Sequence, residues 1–280
     1  EPPKSNQRFW LDLDGIFSQG DIWVDGSFLG VTEGYFFPHS LELTDVLKKQ
    51  KEHLLAIEVT SPPNDGENEK RSLTGFNNQN FNLGGIWQPV HLRATGPIAF
   101  RHLRAVCVDA NPTVATLAVR AVVEATHPCL TIFKTKILGI DHRHRQPLAA
   151  GENRVEWIIR IPRPELWWPH ELGEQPLINA EFTLSTETGE ISDRREKQIG
   201  FRSVRMKGQH WLINGEKIFL RGANVAALSQ DLAGITTESA NSCIEQALEA
   251  NLNLIRVKGH VTHPSFYDAA DQAGMLVWQD

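Results

Sequence analysis

The chain has 280 residues, 41% hydrophobic and 22% charged, with a net charge of −6 and an isoelectric point near 6.0. That length accommodates two or three domains, and the acidic balance gives no electrostatic reason to expect nucleic acid or an anionic membrane as a partner. No apolar run approaches the roughly 18 residues needed to span a bilayer, and Cys107, Cys129 and Cys243, odd in number and far apart, read as reduced, buried thiols rather than a disulfide framework or a metal site.

Residue 1 is Glu, and no leader precedes the first strand, so the chain reads as processed or partial; localisation stays open, with the cytoplasm favoured over secretion. Phe9, Leu11 and Leu13 alternate with Trp10, Asp12 and Asp14, the period of a half-buried strand whose aspartates face water. Asp25-Gly26 between two apolar runs predicts a hairpin with a two-residue turn. Leu55, Ile57 and Val59 alternate again, Ser61 to Asn82 has the Asn, Gly and Pro content of a long loop, and Pro89 to Arg93 closes an all-β unit. Trp10, Trp23 and Trp87 read as core or interface residues ahead of sugar-stacking ones.

Gly96-Pro97 is the first boundary signal. Beyond it Leu117 to Val123, Val155 to Ile161 and Ile178 to Leu184 alternate cleanly, as in an immunoglobulin-like sandwich without the Cys…Trp…Cys staple. Leu166-Trp167-Trp168-Pro169 interrupts the series with a bulky loop. Near Met206 the pattern changes: Ile218 to Asn224 predicts one apolar strand, Thr237 to Asn251 a capped helix, Leu254 to Val257 a strand, Ser265 to Ala273 a helix and Met275 to Gln279 a further strand. Alternating β and α with polar residues at strand ends is how a (β/α)₈ barrel builds its site. The expected domains are therefore 1–96, 97–205 and 206–280.

Several motifs then carry a resemblance. Ile22-Trp23-Val24-Asp25-Gly26 with Leu29-Gly30, Gly85-Ile86-Trp87-Gln88-Pro89-Val90, Leu166-Trp167-Trp168-Pro169, Gly200-Phe201-Arg202, Ile213-Asn214-Gly215 with Arg221-Gly222-Ala223-Asn224, and Asn253 to Asp280 stand in the order found in glycoside hydrolase family 2. The chain resembles that family of β-galactosidases, β-glucuronidases and β-mannosidases, nearest its β-mannosidase-like branch. The resemblance implies a jelly-roll-like sugar-binding β-sandwich, an immunoglobulin-like β-sandwich and the first strands of a truncated TIM barrel, with further strands expected ahead of Phe9. It implies a retaining β-glycosidase acting on a carbohydrate substrate, with no cofactor, no metal, no membrane or nucleic-acid partner, and homo-oligomer formation open to the intact enzyme.

By the same resemblance the acid/base and nucleophile glutamates lie on later barrel strands, so this chain has no catalytic residue of its own and is expected to be inactive alone. Arg256, Asn224 and Asp280 at strand ends, with His260 and Lys258 in the following loop, are the pocket residues implied. The blander readings are a salt bridge for Arg256, loop hydrogen bonds for Asn224 and Asp280, and solvated loop positions for Lys258 and His260. Lys258-Gly259-His260 stands where β-mannosidases tend to carry Trp-Gly-Gly. His260 with His263, and His142 with His144, lack the third ligand of a metal set. The alternative to an enzyme is a carbohydrate-binding or scaffold protein derived from the same family.

Overall fold

The computed structural model describes residues 6–48, 52–61, 84–225, 228–229 and 232–280. Most of the loop expected over 61–82 lies outside the described residues. Among the described residues no helix is long and apolar enough to cross a membrane.

The first unit is antiparallel. Its strands are β1 (Arg8–Leu13), β2 (Ile16–Phe17), β3 (Gln19–Val24), β4 (Ser27–Glu33), β5 (His39–Glu42), then the short helix α1 (Thr44–Leu47), β6 (Leu55–Thr60), β7 (Gly85–Ile86) and β8 (Val90–Thr95). They form sheets ordered β5-β1-β8 and β4-β3-β6, with β2 paired to β7. Leu11, Leu13, Ile16, Ile22 and Val24 fill the space between them. The expected hairpin joins β3 to β4, with Asp25 at φ 53° and Gly26 at φ 76°, the left-handed pair that a tight antiparallel turn demands.

The second unit is a sandwich of β9 (Ile98–Ala110), β10 (Val114–Ala125), β11 (Cys129–Ile137), β12 (Ile140–Leu148), β13 (Gly151–Pro162), β14 (Ile178–Ser185) and β15 (Ile191–Ile199). A β13-β10-β9 sheet faces a β12-β11-β14-β15 sheet, the three-plus-four division of an immunoglobulin-like sandwich. Val119, Val123, Phe133, Val155, Trp157, Ile159 and Phe182 make its core. Cys107 and Cys129 are free thiols and only partly buried, and the sheets are joined by core packing together with hydrogen bonds such as Trp157 Nε1 to Thr135 Oγ1 and Phe100 N to Asp193 Oδ2. His142 and His144 lie half-buried on β12 with neighbouring rings, His144 beside Phe133 and Trp157.

Asp12 corrects the reading of β1 as a half-solvated strand. Its exposure is 7%, because the second sandwich covers the face that alternation had assigned to water. Arg93 and Ser40 donate hydrogen bonds to its carboxylate, and Trp10, fully buried beside it, is flanked by the guanidinium groups of Arg8, Arg93 and Arg101 at 4.4, 5.5 and 4.8 Å. Arg8 also pairs with Glu42 and, across the junction, with Glu124.

The third unit opens with an antiparallel meander, β16 (Val204–Lys207), β17 (His210–Ile213) and β18 (Glu216–Ile218), and continues as β19 (Gly222–Val225), α2 (Thr237–Glu249), β20 (Leu254–Val257), α3 (Pro264–Ala273) and β21 (Leu276–Gln279). The single strand expected over 218–224 is thus two. Between them the Arg221 N–H donates to Asn253 Oδ1, and the Phe219 carbonyl accepts from Asn253 Nδ2, which redirects the backbone from the meander into a parallel sheet. β19, β20 and β21 pair in parallel, in that order. Thr236 caps α2 through a reciprocal bond with Ser239, and His263 caps α3 ahead of Pro264.

Candidate active site at the strand ends

Parallel register decides which side chains share a face. Asn224, Arg256 and Trp278 are in-register partners across β19, β20 and β21, so their side chains leave on one side of the sheet. Val225, Ile255, Val257 and Val277 leave on the other and pack against α2 and α3. Asp280, two residues past Trp278, returns to the first face. That face therefore carries Leu254 and Leu276 at its lower level and Asn224, Arg256 and Asp280 at the carboxyl ends of the strands. A layered apolar floor beneath a polar rim is the arrangement found where a β/α barrel does chemistry.

Arg256 Nε and Nη2 donate to Asp280 Oδ1 and Oδ2 at 3.0 and 2.7 Å. Donating to the Asp280 carboxylate pushes the Arg256 guanidinium above its ordinary value. A fork-on-fork pair fixes the plane of the guanidinium and leaves Nη1 for a further acceptor, such as a carboxylate or a sugar hydroxyl. Asn224 and Lys258 are exposed. His260 is placed differently from a solvated loop residue: it is 3% exposed, and its Nδ1 lies 3.0 Å from Lys258 O. Arg256, Asn224 and Asp280 thus come together on the rim with Lys258 next to them, while His260 turns inward. His263 Nδ1 accepts the Ser265 N–H at the start of α3. Among the described residues no three His, Cys, Asp or Glu side chains gather as metal ligands.

The opposite, amino-terminal end of the sheet is clamped by the loop between β13 and β14. Asn253, fully buried, donates to Glu171 Oε1 at 2.7 Å, and Arg221 donates to the same carboxylate. Burial alone would raise Glu171, but these two bonds outweigh it and hold the carboxyl below its usual range. Trp167 Nε1 donates to Asp271 O at 2.7 Å, and His170 N to Gly274 O at 3.0 Å. Sequence reasoning quoted Asn253 only as part of a motif and did not single out Glu171; the signal was there in the polar residue that opens an otherwise apolar strand.

Two antiparallel sandwiches thus lead into a parallel β/α unit with a polar rim. The glycosyl hydrolase 2 galactose-binding domain-like model matches residues 1–96, and the glycosyl hydrolases family 2 model matches residues 110–202. The chain belongs to glycoside hydrolase family 2, with β-mannosidase-like relatives. It is 26% identical over 317 residues to the mannosylglycoprotein endo-beta-mannosidase of Lilium longiflorum, covering 98% of this chain and 33% of that protein. With the exo-beta-D-glucosaminidase of Arthroderma benhamiae it shares 28% identity over 303 residues, again 98% of this chain and 33% of the other. Among solved structures, the Amycolatopsis orientalis exo-chitosanase CsxA superposes with a TM-score of 0.79 at 23% identity, covering 98% of this chain and 34% of that one. The Dictyoglomus thermophilum beta-D-mannosidase gives 0.76 at 22%, over 98% and 38%. These likenesses establish the fold. The chain spans about a third of the length of the curated relatives it matches.

Proposed function

We propose that this chain is the front part of a retaining β-glycosidase, β-mannosidase- or β-galactosidase-like, comprising a sugar-binding sandwich (1–96), an immunoglobulin-like sandwich (97–205) and the start of a TIM-barrel catalytic domain (206–280). The observation that carries the reading is the parallel β19-β20-β21 sheet with Asn224, Arg256 and Asp280 on one face at its carboxyl ends. Family membership supports the chemistry of this reading, a nucleophile and an acid/base carboxyl about 5–5.5 Å apart. In this reading both carboxylates come from later barrel strands of a longer polypeptide, and the 280 residues alone are inactive.

Arg256 then acts on the nucleophile. A guanidinium held in plane by Asp280 donates to the carboxylate and keeps it ionised, and Asn224 bonds sugar hydroxyls. The two sandwiches buttress the barrel and bound its mouth.

The experiment is turnover of nitrophenyl β-mannoside, β-galactoside and β-glucosaminide by the intact polypeptide, with the anomeric configuration of the first product read by NMR. Arg256→Met is expected to lower kcat/KM by about 10²–10³ with little change in melting temperature. Sugar binding by titration without turnover of any glycoside would replace the enzyme with a binding module of the same family. An Arg256→Met variant within a few-fold of the parent would remove Arg256 from the machinery.

A further inference from the structure

Asp280 accepts from both Arg256 donors, yet the ladder fastens its own backbone by one long bond, Asp280 N to Val257 O at 3.3 Å. What steadies this strand end lies on the other side of the sheet. Alternation turns the neighbouring Gln279 away from the rim. It pairs in register with Val257 and meets α3 and the loop after β20.

There the Gln279 amide joins a ring of hydrogen bonds. The Tyr267 hydroxyl donates to Gln279 Oε1 at 2.6 Å. Gln279 Nε2 donates to His260 O at 2.6 Å and reaches Asp280 O at 3.2 Å. Chemistry fixes the direction of the ring. The Thr262 N–H donates to the Tyr267 oxygen at 3.2 Å, which leaves the hydroxyl proton for an acceptor. Gln279 must therefore present its oxygen to α3 and its nitrogen to the loop. Burial pushes the Tyr267 phenol above its ordinary value, so it stays a protonated donor. His260, 3% exposed, continues the ring, its Nδ1 lying 3.0 Å from Lys258 O, and Lys258 N donates to Val225 O at 3.3 Å. The ends of β19, β20 and β21 are thus tied to one another and rooted in α3, whose Phe266, Ala269 and Ala270 are buried.

We propose that Gln279 is a positioning residue for the reaction: oriented by Tyr267, its amide sets where β21 ends, and so where the Asp280 carboxylate meets Arg256 and how the guanidinium plane is aimed. The inference rests on the glycosidase reading. Gln279 touches no substrate in it and acts through Asp280. An aimed guanidinium matters most as charge shifts at the nucleophile. Loss of the strut therefore weakens the transition state more than the bound substrate, and leaves the nucleophile less firmly ionised.

The test uses the intact polypeptide with Gln279→Met, which keeps the side-chain length and loses both bonds, with Tyr267→Phe, and with the two combined. Each is assayed on nitrophenyl β-mannoside, β-galactoside and β-glucosaminide. Gln279→Met is expected to lower kcat about five- to tenfold with KM within about twofold of the parent, and to move the acid limb of kcat/KM to higher pH. Tyr267→Phe should do the same. The double variant should be no slower than the slower single one, because both remove one strut. A raised KM at unchanged kcat, an unmoved acid limb, or losses that multiply in the double variant overturns the inference. Should a melting curve show Tyr267→Phe unfolded, Gln279→Glu takes its place: it still accepts from Tyr267 but cannot donate to His260 O. The same fall in kcat at unchanged KM is expected, and a parent-like kcat overturns the inference. If no glycoside is cleaved by the parent, the hydrolase reading fails, and amide exchange decides the positioning alone. Gln279→Met should then speed exchange about tenfold or more in peptides covering 256–262 and 276–280, and unchanged protection overturns the inference.

Discussion

His144 stacks on Phe133 with ring centroids 4.8 Å apart and planes 9° from parallel, and neither of its buried ring nitrogens has a hydrogen-bond partner among the described residues. It serves the sandwich as a neutral aromatic. Burial, and secondarily the nearby His142, push its imidazole below the ordinary value. The unfolded chain takes up a proton near pH 6.5, roughly the free histidine value, whereas the folded chain does so only at lower pH. Stability is therefore fully present above about pH 6.5 and falls as the pH drops through that value, where the unfolded state binds more protons. His144→Phe is expected to flatten the dependence of urea-unfolding stability between about pH 6.5 and 5; an unchanged slope assigns the acid sensitivity elsewhere. Single residues were also where alternation misread the chain. It identified the core face of β1 through Leu11 and Leu13, but it took Asp12 as solvated, because a partner domain that covers the second face leaves no mark on period-two patterning.

At the scale of elements, the β/α signals were the clearest part of the sequence. Leu254–Val257 emerged as a strand with the expected bounds, and α3 begins one residue earlier than Ser265, at Pro264. Gly274 ends α3 in the left-handed region at φ 71°, and a Cβ there would meet His170 N at 2.5 Å, so the turn from α3 into β21 and the approach of the clamping loop both require glycine. The rim was legible because strand-end polar residues stand out against apolar runs. The clamp was not, since Glu171 and Asn253 are 82 residues apart and nothing local pairs them. Asn253→Ala removes three hydrogen bonds from a fully buried amide, to Glu171, Phe219 O and the Arg221 N–H, and leaves those groups without their partner. A loss of about 2–4 kcal/mol is expected in denaturant unfolding. A loss below about 0.5 kcal/mol would mean that the clamp contributes little and that β20 is held by its helices alone.

Across the whole molecule, the units are joined by different physics, and that decides where the chain tolerates cutting. The two sandwiches meet through buried ion pairs and guanidiniums around Trp10, whose partners must stay together because a lone buried charge is costly. The parallel unit meets the rest through the Trp167–Asp271 and Glu171–Asn253 bonds and through an aromatic cluster in which Ile235 packs with Phe17 and Trp87 of the first sandwich. Beside β21 lies an apolar cleft of about 420 Å³ lined by Trp167, Trp211, Ile213, Leu254, Met275 and Trp278. Removing residues 1–205 splits β16, strips Trp167 from that cleft and bares the amino-terminal end of the sheet, while β21 stays, as in the uncut chain, a short edge strand with one unpaired side, the arrangement most prone to add a second chain. On the barrel reading proposed above, three parallel strands and two helices leave the sheet unclosed. Residues 206–280 expressed alone are therefore expected to aggregate or to be digested rapidly, whereas residues 1–205, which keep both sandwich cores and the ionic junction, should unfold cooperatively as a soluble monomer. Sedimentation velocity and limited proteolysis of the two pieces separate the cases. A monodisperse, protease-resistant 206–280 would show that α2 and α3 stabilise the parallel sheet without the clamp.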